Sequence, residues 1–158
     1  MKRHFSRSAS RRRSSERGAS LIEAAIVTPL LLLLTFAVVE FSMMFYAYLA
    51  LESGVNQASR YAVTGNVSPG ATRQESIIAA MRKATPTLTI KNSDFTFEHL
   101  VGMTGTVWLP GIGGPDDIGK VTVKYSFQFY TPFARLFFDG GTLNLQVQSA
   151  MKNERRFE

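Results

Sequence analysis

Apolar residues recur along this chain in three rhythms, and each rhythm predicts a different element. From Ala24 to Leu51 they are almost continuous, with Glu40 as the only charge and the block Pro29-Leu-Leu-Leu-Leu-Leu34 showing no polar side. A bilayer core about 30 Å thick takes about 20 helical residues, and Leu21–Glu40 supplies that length. From Leu51 through Val55, Ala58 and Ala62 the spacing becomes three and four, the mark of a helix with one buried face. Gly65 offers a stop, and Asn66-Val-Ser-Pro69-Gly70 reads as a turn. A second, short helix is expected over Ala71–Lys83, with Thr72 as N-cap, Glu75 three residues later and basic residues in the last turn.

Beyond Pro86 the rhythm becomes two. Phe95–Val101 alternates; Val121, Val123, Tyr125, Phe127 and Phe129 share one face; Leu143, Leu145, Val147 and Met151 share another. These predict antiparallel strands with one apolar side. The fold class is therefore α+β. A long N-terminal transmembrane and stalk helix (residues 19–65, span about 21–42) precedes a head (66–158) with a short helix and a small antiparallel sheet of three or four strands.

Charge adds an orientation. The whole chain is +6, and residues 1–18 alone hold seven Lys/Arg against the single acid Glu16, so the remainder is neutral. Cations flanking a span fix which side stays in the cytoplasm, which places the head outside it. The neutral remainder argues against nucleic acid as a partner, since phosphate neutralisation by Lys/Arg supplies most non-specific affinity. An ordinary secretory signal has a shorter apolar region and a small-x-small cleavage site. Ala47-Tyr-Leu-Ala50 has the wrong spacing for that, and Ser14-Ser-Glu16 after Arg11-Arg12-Arg13 does not suit twin-arginine export.

Arg17-Gly18-Ala-Ser-Leu-Ile-Glu23-Ala-Ala-Ile-Val-Thr-Pro29, followed by Val39-Glu40-Phe41, resembles the N-terminus of the TadE-like pseudopilins, minor components of tight-adherence (Tad/Flp-type) pilus systems. The likeness resumes in Gln57–Gly65 and returns in Val121–Tyr125, Thr131-Pro132 and Ala150–Glu154, while Asn66–Lys120 matches loosely. Ala24 stands where the small major pilins of these systems usually carry Tyr, which favours the minor branch. The resemblance implies removal of the basic leader 1–18 by a prepilin peptidase cutting between Gly18 and Ala19. It also implies pairing of Glu23 with the new Ala19 amine of a neighbouring subunit. Implied partners are the membrane, the peptidase, other pilins or pseudopilins and the pilus assembly platform. The implied role is structural, in biogenesis of a surface-adherence pilus from the bacterial inner membrane, with the head periplasmic. The alternative is an uncleaved single-span protein with a periplasmic binding or sensing head.

Residues suited to catalysis are few, and no cofactor or enzymatic activity is expected. The chain contains no Cys. His4 lies in the leader, and His99, alone in a strand, reads as a hydrogen-bonded structural residue. Gly111–Gly119 reads as a flexible hairpin loop, lacking the following helix of a phosphate site and the spaced oxygens of a Ca²⁺ loop. Pro29 is a candidate kink. Glu40 is read as reaching water near the outer headgroups, Trp108 as a packing residue, and Thr131–Phe138 as an apolar connector that packs on the head or serves as a contact patch.

Overall fold

A computed structural model describes residues 8–154; the leader residues Lys2, Arg3, His4 and Arg7, and the tail 155–158, lie outside the described residues. The chain divides into two compact units with the boundary between Phe41 and Ser42. One long helix, α1 (Ser8–Val63), contributes to both. Eleven of its residues, Ser8–Gly18, precede the expected Gly18–Ala19 junction, so the leader's second half is helical too. Gly18–Val63 is long and apolar enough to cross a membrane, and none of its most apolar window is buried within the chain. Leu21, Ile22, Ile26, Leu30, Leu31 and Leu34 are each at least 60% exposed, as a lipid-facing surface requires. Within this run the Thr35 hydroxyl is satisfied by the helix itself, its Oγ1 donating to the Leu31 carbonyl at 2.8 Å.

The second unit is the head. Its helix α2 (Arg73–Ala84) begins in the expected capping box. Thr72 Oγ1 accepts from the Glu75 backbone N–H at 3.2 Å, and the Glu75 carboxylate accepts from the Thr72 backbone N–H at 2.7 Å. The sheet has four antiparallel strands in the order β2-β1-β3-β4: β1 (Phe95–Leu100), β2 (Leu109–Pro110), β3 (Ile118–Gln128) and β4 (Thr142–Lys152). Register follows the alternation. Phe95 pairs with Val123 and Val123 with Val147, which makes one apolar row across three strands. The two-residue β2 is too short to alternate and has no counterpart among the expected strands.

The core lies between this sheet face and the two helices. Leu51, Val55, Ala58 and Ala62 of α1 meet Ile77, Ile78 and Met81 of α2 and Phe95, Val121, Val123 and Val147 of the sheet, all buried. A second cluster joins Ala47 to Phe127 and Phe129, with Met44, Phe138 and Leu143 packed around them. α1 ends where its periodicity ends, and Gly65 takes the left-handed conformation after it (φ 65°). Its last carbonyls, which have no helical partner, are taken by groups far along the chain. Arg73 Nη2 donates to the Ala62 carbonyl at 2.8 Å, and the Glu154 backbone N–H donates to the Val63 carbonyl at 3.1 Å.

Gly54, buried in α1, sets how near α2 can come. A Cβ there would lie 2.5 Å from Thr85 Cγ2 and 3.2 Å from Met81 Cγ. Forcing carbon into a filled site costs about 1–3 kcal/mol, so Gly54→Val should lower head stability by that amount. Gly54→Ala should cost less, because replacing an interior helical glycine returns about 1 kcal/mol. Denaturant midpoints of the detergent-solubilised protein, followed by near-UV circular dichroism, measure both; equal midpoints for wild type and Gly54→Val would refute the close approach.

Candidate functional site

The residues singled out near the N-terminus lie on the first stretches of α1. Gly18 is inside the helix, and a Cβ built on it meets nothing within 4 Å. Glycine in a helix interior costs about 1 kcal/mol relative to alanine, and here no close packing compensates. The fold therefore gives no reason for glycine at this position. Ala19 and Glu23 are exposed and four residues apart, which sets them on one face of the helix. Pro29, singled out as a candidate kink, also lies inside α1, which continues past it. A proline in a helix leaves the carbonyl four residues earlier, that of Ala25, without its usual donor.

Glu40 departs from expectation. It is 2% exposed, not open to water. Counting back from Leu51 by four, three and four reaches Ala47, Met44 and Glu40, so this carboxylate continues the stripe of α1 that carries the buried positions. The charge drew attention in the sequence; its helical phase was the signal that could have found its burial.

In the head, the Gly111–Gly119 segment is tied down where a flexible hairpin was expected. Arg73 Nη1 donates to the Gly113 carbonyl at 2.8 Å, and Asn153 Nδ2 donates to the Gly114 carbonyl at 2.8 Å and the Ile112 carbonyl at 3.3 Å. Asp117 holds both sides of the turn: its carboxylate accepts from the Gly102 backbone N–H at 2.9 Å and the Gly114 backbone N–H at 2.7 Å. Gly113 (φ 76°) is required there, because a side chain would also strike His99 Cβ at 2.8 Å. His99 has the structural part expected of it, its Nδ1 lying 3.3 Å from the Gly111 carbonyl oxygen. Asp117 is thus engaged with backbone donors, and Asp116 pairs with Lys152 at 3.1 Å. Among the described residues no group of three His, Asp or Glu side chains is placed to hold a metal.

Trp108 is half-buried, with the Lys120 ammonium 4.0 Å above its ring centre; the same ammonium pairs with Glu98 at 2.6 Å. That is a packing role on the sheet's outer face. The apolar connector after β3 splits between two fates. Phe138 packs inward, its ring 4.3 Å from that of Phe129, while Leu136 and Phe137 are 80% and 70% exposed. Sequence reasoning missed Arg73 and Asn153 altogether, since a side chain that bonds backbone forty residues away leaves no local pattern.

The family model of TadE-like proteins matches residues 18–60. The matched stretch opens on Gly18 and takes in Glu23, Pro29 and Glu40, so the resemblance seen in the N-terminal sequence is borne out there. It stops short of the strands, and the likeness read over Val121–Tyr125 and Ala150–Glu154 lies outside it. No curated protein and no solved structure matches the chain.

The turn held by Asp117 makes the head acid-sensitive in a defined direction. The Gly102 N–H, then the Gly114 N–H, hold its carboxyl below the usual carboxylate range. A depressed folded-state pKa gives stability that is present above the unfolded value and is lost as pH falls through the folded one. Glu75 acts in the same sense through the Thr72 backbone N–H. Melting temperature should therefore fall below about pH 4. Asp117→Asn should lower it at neutral pH and shrink the acid-dependent drop to the share carried by Glu75; an unchanged pH profile in this variant would contradict the assignment.

Proposed function

We propose that this chain, TadE-like over residues 18–60, is a non-enzymatic assembly subunit of a tight-adherence pilus system, a minor pseudopilin processed after Gly18. The observation that carries the reading is the glycine itself. It opens the matched segment and sits inside a helix where packing gives it no reason to be glycine. A peptidase cleft requires extended backbone, and a glycine makes local unwinding of α1 easier by about 1 kcal/mol. The missing side chain also lets the scissile bond enter a narrow site.

Processing changes the chemistry of the helix end. Before it, Glu23 is a carboxylate one turn beyond a cationic leader. After it, a free amine at Ala19 and the Glu23 carboxylate share one face of a new N-terminus. In hydrocarbon neither charge is tolerated alone. A neighbouring subunit displaced along the helix axis brings amine and carboxylate together, so the pair favours association in one register. The span holds the subunit in the bacterial inner membrane, leader inside and head in the periplasm, where other pseudopilins of the system, its peptidase and its assembly platform are the partners. Whether the work is priming, tip formation or minor incorporation is decided by those partners.

Two substitutions test separate steps. With Gly18→Arg the protein recovered from membranes should keep residues 1–18, whereas the wild type should begin at Ala19 by N-terminal sequencing. Intact leader on the functional wild-type protein refutes processing and favours the anchored sensing module.

Glu23→Gln preserves size and hydrogen bonding while removing charge. Insertion and cleavage should be retained, but association should fail, because leaving one partner of a buried pair uncompensated costs about 3–5 kcal/mol. Co-purification of related pseudopilins and the number of surface pili are the readouts; normal values for both would remove the pairing mechanism.

A further inference from the structure

The connector between β3 and β4 is an exposed apolar surface with a fixed shape. Its ends are closed by the Phe129 backbone N–H donating to the Gly141 carbonyl at 2.9 Å. Inside it, Arg135 Nε donates to the Phe129 carbonyl at 3.2 Å, and the Leu136 and Phe137 backbone N–H groups donate to the Phe133 and Ala134 carbonyls at 3.1 Å each. The backbone is thus largely satisfied within the loop, which is a condition for leaving water. Its side chains point outward all the same. Tyr130 is 72% exposed, Phe133 42%, Leu136 80% and Phe137 70%, and Phe133 and Phe137 make an edge contact at 5.0 Å. From Phe129 to Phe138 the one charge is Arg135.

Its anchorage places this surface along the chain. Phe129 and Phe138 root the connector on Ala47 and Met44 of α1. These residues follow Glu40, where the twenty residues needed to span end, by four and seven positions, about 6–10 Å of helix. A bilayer extends only about 5–8 Å beyond its hydrocarbon core on each side. Around Ala47, α1 itself exposes Phe45, Tyr46 and Tyr48, the residue types that populate membrane–water interfaces.

We infer that the Tyr130–Phe138 connector docks into the outer interfacial layer of the same bilayer that α1 spans, a second and non-spanning membrane contact. Phe133, Leu136 and Phe137 enter the boundary between headgroups and acyl chains, and Arg135 stays at the lipid phosphates, as long cationic side chains do. A lipid surface fits better than a protein here because the patch is anchored on residues that follow a membrane-spanning segment closely in the sequence. From Tyr130 to Phe138 it also combines aromatics with a single cation, as interfacial segments do. The proposal rests on the reading of α1 as a span, and the test separates the two.

The full chain is reconstituted into phosphatidylcholine–phosphatidylglycerol vesicles containing lipids brominated near the top of the acyl chains. Three double variants report by fluorescence: Trp108→Phe with Leu32→Trp for the span, and Trp108→Phe with Leu136→Trp or with Phe137→Trp for the connector. Positions 136 and 137 are largely exposed, so an indole is accommodated at either, and near-UV circular dichroism confirms the fold. At least one connector indole should be quenched within about twofold of the indole at position 32, given an interfacial depth of about 5–10 Å. Quenching at 32 with none at 136 or 137 overturns the proposal while leaving the span intact. If emission at 136 and 137 then shifts to the blue as protein-to-lipid ratio rises, the patch serves a protein neighbour. Absence of quenching at 32 overturns the span, and the docking with it.

Discussion

One wall of the head's core belongs to a helix whose first residues are part of the other unit. Met44, Ala47, Leu51, Val55, Ala58 and Ala62 of α1 form a single stripe, and the sheet's apolar face closes against it. Remove that stripe and Val121, Val123, Phe127 and Val147 face water. Each fully buried aliphatic side chain contributes about 1.5–3 kcal/mol. Leu51, Val55 and their partners thus represent much of the 5–15 kcal/mol by which a domain of this kind exceeds its unfolded chain. Gly54 and the close approach of Thr85 follow from the same constraint, since α2 packs beside the stripe and needs a helix with no side chain at that point.

Most of the architecture was legible because its elements meet one-sided surroundings. The three-and-four rhythm of α1 beyond Leu51, the capping box of Thr72 and Glu75, and the alternation in β1, β3 and β4 all record a face turned to the core. What had no rhythm was not legible. Leu109–Pro110 is too short to alternate. The glycines of the 111–119 loop suggested freedom, yet Arg73 and Asn153 reach it from about forty residues away. Such a bond depends on tertiary placement alone. Glu40 was misread because its charge outweighed its phase.

The candidate site was legible for a different reason. Gly18, Glu23 and Pro29 form a linear pattern within a dozen residues, and recognition of such a pattern by another protein requires little folding. What structure adds is a negative observation with positive content: the glycine is not explained by packing. The connector could not have been resolved in the same way. Phe133, Leu136, Phe137 and Phe138 look alike in the sequence, and only the fold sorts Phe138 inward and its neighbours outward.

Among the bonds that close the head, two join residues far apart in the chain. Ser59 donates to the Ser149 carbonyl across 90 residues, and the Glu154 N–H reaches back to Val63. During synthesis the buried stripe of α1 is complete long before β4 exists. The helix must then hold an apolar face open while nearly all of the remaining chain is made. Contacts this distant in sequence form slowly, because loop closure comes before any reward. The head's maturation is therefore timed by its final strand: until Val147 and Asn153 arrive, the molecule is a finished helix waiting for a core.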